Sequence, residues 1–188
     1  QLDPHKKNPI FLDLFAGSGV VSRFAKTQGF TVVSNDWEDY TEIINSLYIL
    51  VDKNDIENLF QDKGGLECVL DHLNNLSPLP YEESYIARNY CPFDTNNPDT
   101  ANERLFYTRE TGEKIDAIRH QIEEWYPEPV LGKKSMEKKT LLALLLYEAA
   151  TRANTSGVFK GFHHGFGGLG KDALHRILKP LQLESPVL

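Results

Sequence analysis

Two carboxylates and two glycines near the N-terminus have the types and spacing of a ligand-binding turn. Asp13 lies near the end of a largely apolar run, residues 10–14, and Gly17 and Gly19 follow it one residue apart. Asp36 closes a second run, Thr31-Val32-Val33-Ser34-Asn35, rich in β-branched residues. Glycines so spaced permit a tight turn and let a ligand approach the backbone closely. A carboxylate at a second strand end can accept from both hydroxyls of a ribose, as in dinucleotide folds. Asp13, at the first strand end, can hold an amino group.

The surrounding sequence supplies elements to position these groups. Residues 10–14 read as a buried parallel strand. Residues 20–28 carry Val20, Val21, Phe24 and Ala25 at helical spacing, and Gly29 stops them. A strand, a glycine turn and a helix in succession aim free backbone N–H groups at whatever lies above the strand end. Residues 30–36 form the second strand. Residues 37–50 follow as a helix with Tyr40, Ile43, Ile44, Leu47 and Tyr48 on one face. Trp37 either covers an adenine ring or packs in the core.

Three ligands use such turns. A nucleoside triphosphate requires Lys-Ser/Thr after the last glycine, but Val20-Val21 stands there. A dinucleotide calls for a third glycine, and Ser22 stands near its place, a partial match. S-adenosylmethionine needs no pyrophosphate cradle and suits Asp13 and Asp36 together. The plain alternative makes both carboxylates caps or solvated loop residues. Their presence at two successive strand ends favours a nucleoside-type ligand.

The bulk composition narrows the rest. The 188 residues are 40% hydrophobic, enough for one domain with a real core or a core plus a subdomain. No run of 18 apolar residues occurs, so no membrane partner is expected. Cys68 and Cys91 lack metal-ligand spacing and read as free buried thiols of a reducing cytosol, which makes the cytoplasm the expected compartment. Net charge is −7, yet the acidic excess lies in residues 1–132, and residues 133–180 are basic. That strip can face phosphate. For Lys133, Lys134, Lys138 and Lys139 the simpler expectation is solvation of a helix start.

After residue 52 the alternation of strand and helix breaks. Residues 55–62 and 66–76 read as helices. Residues 77–103, with Pro78, Pro80, Pro92 and Pro98, read as a long irregular segment. Residues 104–108 read as a short strand or helix entry. Residues 111–125 form a helix striped by Ile115, Ile118, Ile122 and Trp125; residues 135–152 form one apolar nearly all round, hence buried. Residues 153–170 combine six glycines with Phe159, Phe162, Phe166, Asn154, Lys160 and His163. Such a loop can follow a nucleic-acid backbone and offer stacking faces. His163 and His164 are adjacent and point their rings apart, so no metal site is expected. Residues 171–178 read as a short helix, and Val187-Leu188 as the opening of another strand. Gln1 is not a start methionine. The expectation is that the chain is part of a longer protein.

The run Phe11-Leu12-Asp13-Leu14-Phe15-Ala16-Gly17-Ser18-Gly19 resembles the first cofactor motif of Dam-type, adenine-specific DNA methyltransferases. Ser34-Asn35-Asp36 resembles their acidic second motif. The helix segment 111–119 is similar to one found in DNA adenine methylases. Residues 151–160 resemble the family's Arg-x-Asn-x-x-Gly-x-Phe-Asn loop near DNA, with Lys160 where the family often has Asn.

The resemblance implies an α/β fold: a Rossmann-like, S-adenosylmethionine-dependent methyltransferase sheet with a mainly helical target-recognition insertion. Residues 1–52 and 170–188 would form an incomplete cofactor core, and residues 53–169 the insertion. Asp13, Phe15, Ala16, Gly17, Ser18, Gly19, Asp36 and Trp37 would surround the cofactor. Arg152, Asn154, Thr155, Lys160 and His163 would face double-stranded DNA. The family's Asp/Asn-Pro-Pro-Tyr/Phe catalytic motif is absent from these residues; Asn97-Pro98-Asp99 lacks its second proline and its aromatic. The expectation is therefore an adenine methyltransferase whose catalytic residues are not in this chain, with a cognate restriction endonuclease as a possible partner. Rival readings are a methyltransferase of RNA or small molecules and a non-catalytic specificity module that binds DNA.

Overall fold

The computed structural model describes residues 9–127, 136–156 and 161–188. Strand β1 (Ile10–Asp13) leads through the glycine turn into helix α1 (Val20–Thr27) and then β2 (Thr31–Ser34). The strands pair in parallel, with Ile10 opposite Thr31 and Asp13 opposite Ser34. This register brings both strand ends, and so both carboxylate-bearing turns, to one edge. Ser22 of α1 locks them together: its hydroxyl donates to Asp13 Oδ2 at 2.7 Å and lies 2.8 Å from Ser34 Oγ.

The sheet differs from the expected one in extent. Among the described residues it has two strands, and residues 187–188 add none. β1 is accordingly not buried on both faces. Phe11 and Asp13 turn inward, while Ile10 is 72% and Leu12 55% exposed. Val20, Val21 and Phe24 of α1 are exposed as well; the residues that α1 buries are Ser22 and Ala25. A parallel strand needs cover on both faces, and a two-stranded sheet provides little.

The hydrophobic core lies among the helices. Helix α2 (Asp39–Asn45) runs on into a π-helical turn, Ser46–Leu50, which buries Leu47 and Tyr48. Helix α3 (Lys53–Asn58) starts at an Asp52 capping box, and α4 (Leu66–Asn74) buries Val69, Leu70 and Leu73. Helix α5 (Ile86–Tyr90) packs on α6 (Arg109–Trp125), which begins at a Thr108 cap. Its Ile115, Ile118 and Ile122 point inward, as their spacing requires. Residues 104–108 form neither strand nor helix.

Helix α7 (Met136–Arg152) is buried along most of its length through Leu141, Leu142, Leu144, Leu145 and Ala149. It packs on α2, α6 and the π turn. Its Lys138 and Lys139 are buried rather than solvated, paired with Glu123 at 2.9 Å and Glu42 at 2.6 Å. Those ion pairs tie α7 to α6 and α2. Lys133 and Lys134 lie outside the described residues. Helix α8 (Leu174–Leu178) packs against α7. Cys91 is buried as expected, but Cys68 is exposed. No helix of the described residues is long and apolar enough to cross a membrane.

Candidate cofactor site and nucleic-acid loop

The turn after β1 is built from backbone bonds that need positive φ. Gly17 has φ +52° and Gly19 φ +74°, a region that costs other L-residues about 1–2 kcal/mol. The Gly19 N–H donates to the Ala16 carbonyl at 2.8 Å, and the Ala16 N–H to the Asn35 carbonyl at 3.0 Å. The turn is thereby stitched to the segment following β2. Gly19 is also the N-cap of α1, with no side chain capping it. Ser18 and Phe15 lie exposed on the turn, and Ala16 is buried beneath it.

Asp36 is the turn's second anchor. Its Oδ2 accepts the Gly17 N–H at 2.8 Å, and its Oδ1 accepts the N–H groups of Trp37 at 2.8 Å and Glu38 at 3.2 Å. These bonds hold its carboxyl below the ordinary carboxylate value, the Gly17 bond foremost. The Trp37 ring is 94% exposed and so does not pack in the core. A cavity of about 450 Å³ opens along β2 and α2, lined by Ser34, Asp36, Trp37, Thr41 and Asn45 among others. Asp13 sits at the neighbouring strand end, holding Ser22.

The loop after α7 is organised by Asn154. This side chain has 0% exposure. Its amide nitrogen donates to the carbonyls of Leu105 at 2.9 Å and His163 at 3.1 Å, and its oxygen accepts the Gly167 N–H at 3.1 Å. Its backbone N–H reaches the Phe106 carbonyl at 2.8 Å, and Phe106 stacks edge-on with Phe162. Arg152 is 7% exposed and pairs with Glu148 at 3.1 Å. The side chains of Arg152 and Asn154 thus face the protein and hold the base of the loop. Thr155 and His163 are partly exposed on it. Lys160 lies outside the described residues.

Two residues that the sequence does not single out complete these arrangements. Asn45, at the end of α2, reaches the glycine turn and donates to the Gly17 carbonyl at 3.4 Å. Arg176, on α8, donates to the carbonyls of Thr151 and Ala153 at the C-terminus of α7. No local spacing signals either contact, because the partners are brought together by packing.

Residues 1–168 match the family model of D12 class N6 adenine-specific DNA methyltransferases. The chain is 35% identical over 181 residues to the Type II methyltransferase M.NlaIII of Neisseria lactamica, a match covering 93% of the chain and 45% of that protein. It is 32% identical over 152 residues to the modification methylase LlaI of Lactococcus lactis subsp. lactis, covering 81% of the chain and 22% of the relative. It is 29% identical over 177 residues to the Type II methyltransferase M.CviAII of Paramecium bursaria Chlorella virus 1, covering 93% and 47%. The chain thus spans half or less of the length of these relatives. No solved structure matches it. With the paired carboxylates and the glycine turn standing inside a match that covers most of its length, the chain belongs to the D12 class of N6 adenine-specific DNA methyltransferases.

Proposed function

We propose that the protein transfers a methyl group from S-adenosylmethionine to the exocyclic amino group of adenine in double-stranded DNA. In this reading the present chain supplies a Rossmann-like cofactor half and a target-recognition insertion over residues 53–169. The observation that carries it is the bridge from Asp36 to the Gly17 N–H, which ties the glycine turn to a carboxylate that itself lines a cavity along β2 and α2.

The residues present fit the cofactor. A volume of about 450 Å³ lies within the roughly 300–1,000 Å³ of small-molecule sites. A carboxylate offers about four acceptor positions, and three backbone donors occupy Asp36, leaving capacity for a ribose hydroxyl. Trp37 presents an open face to an adenine ring, and Asp13 an acceptor for the methionine ammonium. When bound, the cofactor supplies an electrophilic methyl on its sulfonium. Adenine in a duplex hides its amine in the stack, so the base must be flipped out. The loop borne on Arg152 and Asn154 would follow the DNA backbone through Thr155, Lys160 and His163. The names of the relatives, Type II methyltransferase and modification methylase, support a cognate restriction endonuclease as partner.

Calorimetric titration of the full-length protein with S-adenosylmethionine tests the reading. Binding is expected, and Asp36→Ala should weaken it by about 1–3 kcal/mol, the scale of a hydrogen bond to a charged group. Absence of binding by the full-length protein would overturn the proposal. Binding of the cofactor without salt-dependent binding of duplex DNA would favour an RNA or small-molecule substrate instead.

A further inference from the structure

We infer that Asn45 is a positioning residue of the cofactor site, one that holds the glycine turn in the shape that receives the amino-acid half of S-adenosylmethionine. This rests on the cofactor reading above. Three observations carry it.

The first is the hold on Gly17. Its N–H is taken by Asp36 at 2.8 Å and its carbonyl by the Asn45 amide at 3.4 Å. Two side chains from beyond β2 therefore grip both polar groups of one residue in the turn. The second is the fit at Gly19. A Cβ built there would collide with the Asn45 amide oxygen, so that oxygen points directly at the one residue of the turn that caps α1. The third is the state of that oxygen. Asn45 is 8% exposed, yet its Oδ1 has no hydrogen-bond partner. Buried polar atoms without partners are rare in folded proteins and call for a reason. An apolar side chain of similar shape would fill this space without leaving an acceptor unpaired. An amide here serves the turn, and it lines the same cavity as Asp36 and Trp37.

The division of labour follows from the chemistry. Asp36 has a second duty when the cofactor arrives, since its remaining acceptor position takes a ribose hydroxyl. Asn45 has no such second duty and keeps Gly17 in place. Loss of Asn45 should therefore harm the part of the ligand lying over the glycine turn more than the nucleoside part.

The test uses the full-length protein and two ligands, S-adenosylmethionine and 5′-methylthioadenosine, which lacks the amino-acid half. Asn45→Ala is expected to raise the Kd for S-adenosylmethionine about tenfold while changing that for 5′-methylthioadenosine less than about twofold. Asn45→Asp keeps the volume but loses the donor to Gly17, and should show the same selective loss. Asp36→Ala should weaken both ligands. Melting temperatures are measured alongside. Unchanged affinity in both Asn45 variants would overturn the inference. So would an equal loss for both ligands accompanied by a drop in melting temperature, which would mark a general structural role. If the unsubstituted full-length protein binds neither ligand, the cofactor reading itself falls and this inference with it.

Discussion

The backbone bonds that Asp36 accepts favour its ionised form. Because its folded value lies below the ordinary 3.8, the bonds to Gly17, Trp37 and Glu38 stabilise the fold above that value. Their contribution is lost only as pH falls through the lower folded value. Cofactor affinity owed to Asp36 should thus be flat between about pH 5 and 8. Titrations across that range, against Asp36→Asn, check it; a loss of affinity centred near neutrality would point to another group. Gly19→Ala tests the turn directly. It combines the left-handed φ with a collision against Asn45, and should cost about 1–2 kcal/mol of stability together with cofactor affinity. The positions of Asp13 and Asp36 at two strand ends, and of the glycines in the turn, were legible in sequence because their signal is local: residue type at the end of a run. Asn45 was not, since its tie to Gly17 crosses 28 positions of chain.

The helices are held by contacts that are equally specific. Where α5 crosses α6, Gly112 leaves no room for a side chain: a Cβ would meet Cys91 Sγ at 2.5 Å and the Ala87 backbone at 2.9 Å. Gly112→Ala should therefore destabilise by about 1–3 kcal/mol, the usual cost of overpacking, read as a lower denaturation midpoint. Burial raises the Cys91 thiol well above its usual value, with the Asp116 carboxylate adding to the effect. A thiol reagent at mild alkaline pH should label exposed Cys68 at once and Cys91 only on unfolding. Helix periodicity placed α6 and α7 correctly, since a buried stripe is written in residue spacing. The same reading put Lys138 and Lys139 in solvent. Their carboxylate partners, Glu123 and Glu42, lie on other helices, and no pattern along α7 reveals them. Burial of an amine is tolerable only with such a partner.

At the scale of the whole molecule, apolar side chains are left open on two elements. Ile10, Leu12, Val20, Val21 and Phe24 are exposed on β1 and α1, and the chain covers 45% of M.NlaIII and 47% of M.CviAII. Neighbouring exposed apolar side chains such as Val20, Val21 and Phe24 on one short helix offer a surface for apolar ligands. The 188-residue chain alone should bind an apolar dye such as ANS. Serine in place of Val20, Val21 and Phe24 together should weaken that binding without lowering the melting temperature, because these side chains add little to the core. Unchanged dye binding would place the exposed surface elsewhere.

The strand–turn–helix unit, its two carboxylates and the buried stripes of α6 and α7 follow from neighbours in sequence, through turn chemistry and periodicity that act within a few residues. Burial of a given polar side chain does not. Asn154 and Arg152, expected at DNA, are turned inward by Leu105, Gly167 and Glu148. Asn45 is set against Gly17, and Lys139 against Glu42, by packing of helices remote in sequence. A strand expected to be buried stands with one face open. Each of these outcomes depends on what other elements happen to lie opposite, and a one-dimensional pattern carries the periodicity of a face but not the identity of what meets it.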